Sequence, residues 1–211
     1  MKLRHLFLAV LCFCLLAGCQ KSVEPSRYIM PDVVVAVAPF TQPTQTSELL
    51  SGFIPEGQKR ISDKSLAALD SLFRTKLNSG KHTYVFLDQD DIRGPLTKDE
   101  RGRRNALVTW AERARRAGAD MIVVPQVIVL QERVGGEAGA VSAAAVNEDF
   151  YLIDARKPET LLQRSHFAEE QQSLVSDLTQ IGSFFRRGGK WVSALELAGE
   201  GMDKAVEEMG L

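Results

Sequence analysis

Two places in this sequence bring together side chains whose chemistry has a use at that spacing. Cys19 follows the small and apolar residues Leu16, Ala17 and Gly18. Its thiol is the one soft nucleophile at that point, able to take an alkyl group as a thioether. The second place is Arg186, Arg187, Gly188, Gly189, Lys190 and Trp191. Cations and glycines beside an indole could grip an anionic glycan, a phosphate or a partner. Arginines followed by glycine are also what ends a helix, because they oppose its dipole and allow a left-handed cap. Both readings stay open from sequence.

Other polar groupings are weaker. Asp88, Asp90 and Asp91 offer oxygen ligands for a divalent cation, but lack the glycine and distal glutamate of a calcium loop, and a solvated turn explains them. Gly135, Gly136 and Gly139 would need to open a helix to cradle a phosphate, yet a β-type run follows, so a hairpin loop is expected. Arg101, Arg103, Arg104, Arg113, Arg115 and Arg116 give the second predicted helix a basic character. Arg101, Arg113 and Arg116 fall away from its apolar stripe and are expected on a solvated face, with an acidic partner as the alternative. His82 and His166 have no zinc-type spacing, so no metal site is expected. Glu148-Asp149 and Glu169-Glu170 are neighbours on apparent strands, where successive side chains point to opposite faces, so neither makes a carboxylate pair alone. There is no Gly-x-Ser-x-Gly elbow. No catalytic residue and no enzymatic activity are expected.

Cys19 gains meaning from what precedes it. Lys2 and Arg4 make a positive start, and Leu6 to Leu15 is an apolar run too short to span a bilayer. Residues 1–18 read as a signal peptide, and Leu16-Ala17-Gly18-Cys19 resembles the lipobox of bacterial lipoproteins. That resemblance implies cleavage before Cys19 and diacylation of its thiol. The only group attached would be this covalent lipid, and no cofactor is expected. Gln20 follows the cysteine, where an aspartate would imply inner-membrane retention; the resemblance thus implies delivery to the periplasmic face of the outer membrane. Cys12 and Cys14 would leave with the signal, so the mature chain would have no disulfide and no free thiol. Losing Lys2 and Arg4 takes the formal charge from -1 to about -3, a near balance that gives no reason to expect nucleic acid.

The elements follow from periodicity. Residues 19–31 read as a lipidated cysteine and a polar tether with two prolines, spanning about 40 Å when extended. Residues 32–211 read as one periplasmic α/β domain, with a C-terminal helical block from about residue 173. Val33 to Phe40 predicts a strand buried on both faces. Leu66, Leu69, Phe73 and Leu77 predict a helix starting near Ser62 and ending at Asn78-Ser79-Gly80. Thr83 to Asp88 predicts a strand, and Asp99 to Ala117 a helix with Leu107, Ala111, Ala114 and Gly118 on one face and Trp110 at its margin. Met121 to Arg133 predicts a long strand in which Pro125 demands an edge or a bulge. Val141 to Asp154 and Leu161 to Glu170 complete an antiparallel meander around Lys157-Pro158. Leu174, Leu178, Ile181 and Phe185 predict a helix. Ser193 and Glu196 predict a capping box for the last one, with a Val192–Leu197 staple and Leu195, Ala198, Met202, Val206 and Met209 facing a core. The expected fold is α/β, a mixed sheet of about five strands flanked by helices in the order βαβα-βββ-αα.

Three stretches together resemble a superfamily: Ala38-Pro39-Phe40 ending the first strand, Gly118-Ala119-Asp120 leading into Met121 to Val124, and Asp149 to Asp154 before a turn. This is similar to the envelope lipoproteins and domains that include the curli-secretion channel lipoprotein (CsgG-like), the Pel polysaccharide-export lipoprotein, the lipoprotein activators of penicillin-binding proteins, and the N-terminal domain of the Tol-system β-propeller protein. The similarity runs from about Val33 to Glu170. It implies a non-enzymatic assembly or accessory subunit of an envelope export or biogenesis system, bound to the membrane by its lipid, touching envelope proteins and able to form a homo-oligomer. A monomeric tethered module that regulates a peptidoglycan-synthesis enzyme, or binds an anionic glycan, is the alternative. The family usually has glycine where Pro125 stands, and no segment of Val33 to Glu170 reads as a pore-forming hairpin.

Overall fold

The computed structural model describes residues 27–78, 82–136, 139–157, 159–170 and 192–211. Within them the chain makes β1 (Val35–Val37), α1 (Asp63–Leu77), β2 (Tyr84–Phe86), α2 (Ala106–Arg116), β3 (Met121–Gln131), β4 (Val134–Gly136), β5 (Gly139–Ser142), β6 (Ala145–Asp154), β7 (Thr160–Glu170) and α3 (Ala194–Met209). Five strands form a mixed sheet in the order β2-β1-β3-β6-β7, and β4 and β5 form a separate ribbon. β1 pairs in parallel with β2 and β3; β3, β6 and β7 are antiparallel.

The parallel half places its helices on opposite faces. The step from β1 out to β2 and the step back across β1 to β3 run in opposite directions, and both crossovers favour the right-handed path. So α1, joined by α3, covers one face, where Phe40, Phe73 and Phe150 meet with ring centroids 5.3–5.9 Å apart. Helix α2 covers the other face through Ala106, Trp110, Ala111 and Ala114 against Ile122, Val124, Tyr151 and Ile153. β1 lies between two neighbours and beneath both layers, which is why its residues are at most 4% exposed.

The helix ends follow their side chains. Ser62 accepts from Ser65 N (3.1 Å) to start α1, and Ser193 and Glu196 form the expected box on α3; Val192 and Leu197 belong to one core cluster. Several expectations need correction. β1 is three residues long, because the chain leaves the ladder after Ala38 and rejoins β3 only at Thr41. α2 starts after Asn105, not at Asp99. The Asp99 carboxylate instead takes the amides of Arg101 and Arg103 into a closed turn, which competes with helix. Trp110 is central to the buried face of α2 rather than marginal. The strand expected from Val141 divides into β5 and β6. Leu195 is exposed, and Ala194, Leu197 and Ala205 take the core positions beside Ala198, Met202 and Met209.

Pro125 lies in a central strand. Its nitrogen faces the β1 side, where the chain has already left the ladder, so no partner loses a donor. A register shift follows between Val127 and Val129.

Candidate functional site

Cys19 with Leu16, Ala17 and Gly18 lies outside the described residues. So do Arg186, Arg187, Lys190 and Trp191, and the helix expected over Leu174 to Phe185.

The described part of the tether is held in place. Arg27 Nη2 meets Glu207 Oε1 at 2.7 Å, and Tyr28 N donates to the Glu208 carbonyl at 2.9 Å. The close approach depends on Gly210, the left-handed C-cap of α3 (φ 67°): a Cβ there would stand 2.4 Å from the Tyr28 carbonyl oxygen. The Gly210 carbonyl also lies 2.9 Å from His82 Nε2, just before β2. The end of α3, the start of β2 and residues 27–30 thus gather at one pole. At the other pole stand the carboxyl ends of β1 and β2. There too α3 begins beside the end of β3, with Ala194 N donating to Glu132 Oε2 (3.2 Å).

That second pole contains a crevice of about 320 Å³ lined by the loop after β1 (Thr41–Glu48), the loop after β2 (Ile92–Leu96), Arg104, Trp110, Arg113 and Gln126. In sheets of this kind, ligands bind outside the carboxyl ends of the strands where connections diverge to opposite faces. Gln126 builds the wall. Its amide nitrogen donates to the Glu48 carbonyl (2.8 Å), and its oxygen accepts from Leu50 N (3.4 Å), so a buried side chain fixes the first loop. Glu48 in turn accepts from Thr44 N and Gln45 N.

Arg113 corrects the sequence expectation of a solvated face. It is 7% exposed, stacks 4.6 Å over the Trp110 ring and donates through Nη2 to the Ile92 carbonyl. Its Nε is buried without a partner, and no carboxylate stands within ion-pair distance among the described residues. Burial, then the nearby Arg116 charge, lowers its proton affinity. A buried donor of a charged group left unpaired costs about 1–3 kcal/mol or more. The signal was legible: three residues beyond a buried Trp110 lies on the same helical face.

The other arginines separate. Arg101, Arg103 and Arg104 lie before α2, and Arg103 closes on Asp99 at 2.9 Å. Arg115 pairs with Glu159 at 2.9 Å and Arg116 is exposed. Asp88, Asp90 and Asp91 form a self-contained turn in which Asp88 Oδ1 accepts from the amides of Asp90 and Asp91; these bonds, the Asp91 amide foremost, hold its carboxyl below the usual range. Among the described residues no group of three or more His, Cys, Asp or Glu side chains could hold a metal. Gly135, Gly136 and Gly139 belong to the β4–β5 hairpin, as expected.

Glu148 and Asp149 do point to opposite faces. Asp149, 3% exposed, accepts from Arg164 Nε (2.7 Å) and stands 2.9 Å from His166 Nδ1. Sequence reasoning missed this pair, although folding the chain about the Lys157 turn places residue 149 opposite residue 166. An aspartate orienting an imidazole suits a general base, yet among the described residues no hydroxyl or thiol bonds to that ring. On the other face Glu148 is fully buried, both oxygens unpartnered, in a space left by Gly201 of α3, where a Cβ would stand 2.1 Å from Oε1. Burial, and then the Asp149 charge, push its carboxyl well above the usual range.

No family model matches the chain, and no curated protein matches it. Among solved structures it is similar to the PelC dodecamer of Paraburkholderia phytofirmans (12% identity, covering 89% of this chain and 89% of that one, TM-score 0.46). It is also similar to a lipoprotein of Neisseria meningitidis (10% identity, 74% and 97% covered, TM-score 0.39). A third is the LpoB C-terminal domain of Salmonella enterica (14% identity, 69% and 88% covered, TM-score 0.35). At these scores the likeness is one of chain trace and carries no inference about role.

Proposed function

We propose that this chain is a lipoprotein held by an acylated Cys19 at the periplasmic face of the outer membrane, serving as a non-enzymatic accessory or assembly subunit of an envelope export or biogenesis system. The observation that carries the reading is the polarity of the domain. Residues 27 and 28 are bound to the end of α3, while the crevice and the start of α3 lie at the far pole. A lipid at Cys19 would hold the first pole toward the bilayer and leave the second free to meet a partner. The sequence before Cys19 supports the anchor, and the superfamily resemblance supports the accessory role.

The test replaces Cys19 with serine in the full chain. The wild type should incorporate a palmitate label and fractionate with the outer membrane; Cys19→Ser should take no label and remain uncleaved or soluble. Equal labelling of both would overturn the anchor. A photocrosslinker at Phe53, 78% exposed in the loop after β1, should then capture an envelope protein more efficiently than one at Ile29, 89% exposed in the tether. The opposite ranking would overturn the assigned orientation.

A second reading, a monomeric tethered module touching a peptidoglycan-synthesis enzyme, draws support from the crevice, whose size suits a small ligand or a short peptide.

A further inference from the structure

Arg113 is a cation that the fold buries and leaves unanswered. Its guanidinium lies over Trp110 and gives one hydrogen bond, to the Ile92 carbonyl; Nε has none. Arg104 lines the same crevice, is exposed, and has no carboxylate partner among the described residues. Buried charges are almost always paired, so a guanidinium without a carboxylate partner in the wall of an open crevice marks the place of a missing anion; its Nε is sealed from solvent, and a ligand would meet the terminal nitrogens. The crevice has the position that ligands favour in such sheets and, at about 320 Å³, the volume of a small one.

The geometry points to a site for a small carboxylate-bearing ligand, of monosaccharide or dipeptide size, with its carboxylate on Arg113 and Arg104 and its body along the two loops that wall the crevice, where it meets only the rim of Trp110. A guanidinium offers two parallel donors that match the two oxygens of a carboxylate. The local charge argues for a single negative charge. Two arginines and the Glu48 carboxylate line the crevice, leaving a net charge that a monoanion balances and a phosphate dianion exceeds. Glu48 does not fill the role itself, because Thr44 and Gln45 amides hold its carboxylate to its own loop. Pro43, Pro95 and Leu96 in the two loops offer apolar contact to a sugar face or a small side chain. This site holds whether or not Cys19 is acylated.

The test uses the full chain in mild detergent with Trp191→Phe, which leaves Trp110 the sole tryptophan of the two. Trp110 fluorescence is titrated with glucuronate, N-acetyl-alanyl-alanine, inorganic phosphate and neutral glucose. One or both carboxylates should give a saturable change below about 50 mM, a range that covers millimolar dissociation constants. Glucose should give none, and phosphate a weaker one. The carboxylate that binds identifies a sugar or a peptide source. Arg104→Glu should weaken binding at least tenfold. Arg113→Lys keeps the charge and loses the fork, and should do the same with an unchanged circular dichroism spectrum. Flat titrations with both carboxylates would overturn the proposal, as would binding indifferent to Arg104→Glu. Tighter binding of phosphate than of either carboxylate would overturn the carboxylate assignment. Should Arg113→Lys fail to fold, the exposed Arg104 still decides the matter.

Discussion

Glu148 shows what a single buried acid does to a fold. It faces α3 across the gap left by Gly201, fully buried and unpartnered, and burial raises its carboxyl well above the usual range. Folded protein therefore holds a proton that the unfolded chain releases. Stability from this group is fully present below the ordinary glutamate range and is lost as pH rises from there toward the raised folded value. The slope approaches about 1.4 kcal/mol per pH unit within that window. Glu148→Leu should flatten it: urea unfolding at a series of pH values should show the variant gaining stability over wild type as pH rises. Parallel curves would show that Glu148 is not the titrating group. Asp149, one residue along but on the opposite face, sits with Arg164 and His166 and meets no such penalty of isolation.

At the scale of elements, Gly210 matters most. It caps α3 in the left-handed region and lets the Tyr28 carbonyl come close, so two distant parts of the chain meet through a missing side chain. Gly210→Ala adds about 1–2 kcal/mol of left-handed strain and a clash with backbone. Residues 27–30 should detach, and limited proteolysis there should speed up at least threefold while the sheet stays protected. Unchanged proteolysis would mean that the tether is held elsewhere. Nothing in the sequence announced this contact, since it joins residues at opposite ends of the chain. What the sequence did announce was periodic or capped: the stripe Leu66, Leu69, Phe73 and Leu77, and the Ser193–Glu196 box. The start of α2 was hidden because Asp99 can feed a turn as readily as a helix, and only the folded geometry decides between them. Within the crevice, Trp110 and Arg113 were readable as neighbours on one helix. Gln126 was not, because its partners Glu48 and Leu50 lie in the loop after β1, far away along the chain.

For the whole molecule the open quantity is stoichiometry. Among the described residues β2 and β7 are the outermost strands of the sheet, and β7 is the longer at 11 residues. The accessory-subunit reading carries the expectation of a homo-oligomer, and light scattering of the full chain in mild detergent should give a closed multiple of the 23.3 kDa monomer, less the signal. A strict monomer would favour the tethered module. The contact between Arg27, Tyr28 and the end of α3 also sets a radius of action. With residue 27 bound to the domain, only eight peptide steps separate it from Cys19, at most about 28 Å. With Cys19 acylated as proposed, the domain would search a hemisphere of that radius and no further. A membrane partner inside it would meet the domain at an effective concentration on the order of ten millimolar. Contacts too weak to survive dilution could then hold, and cutting the leash would silence the protein even if every surface stayed intact.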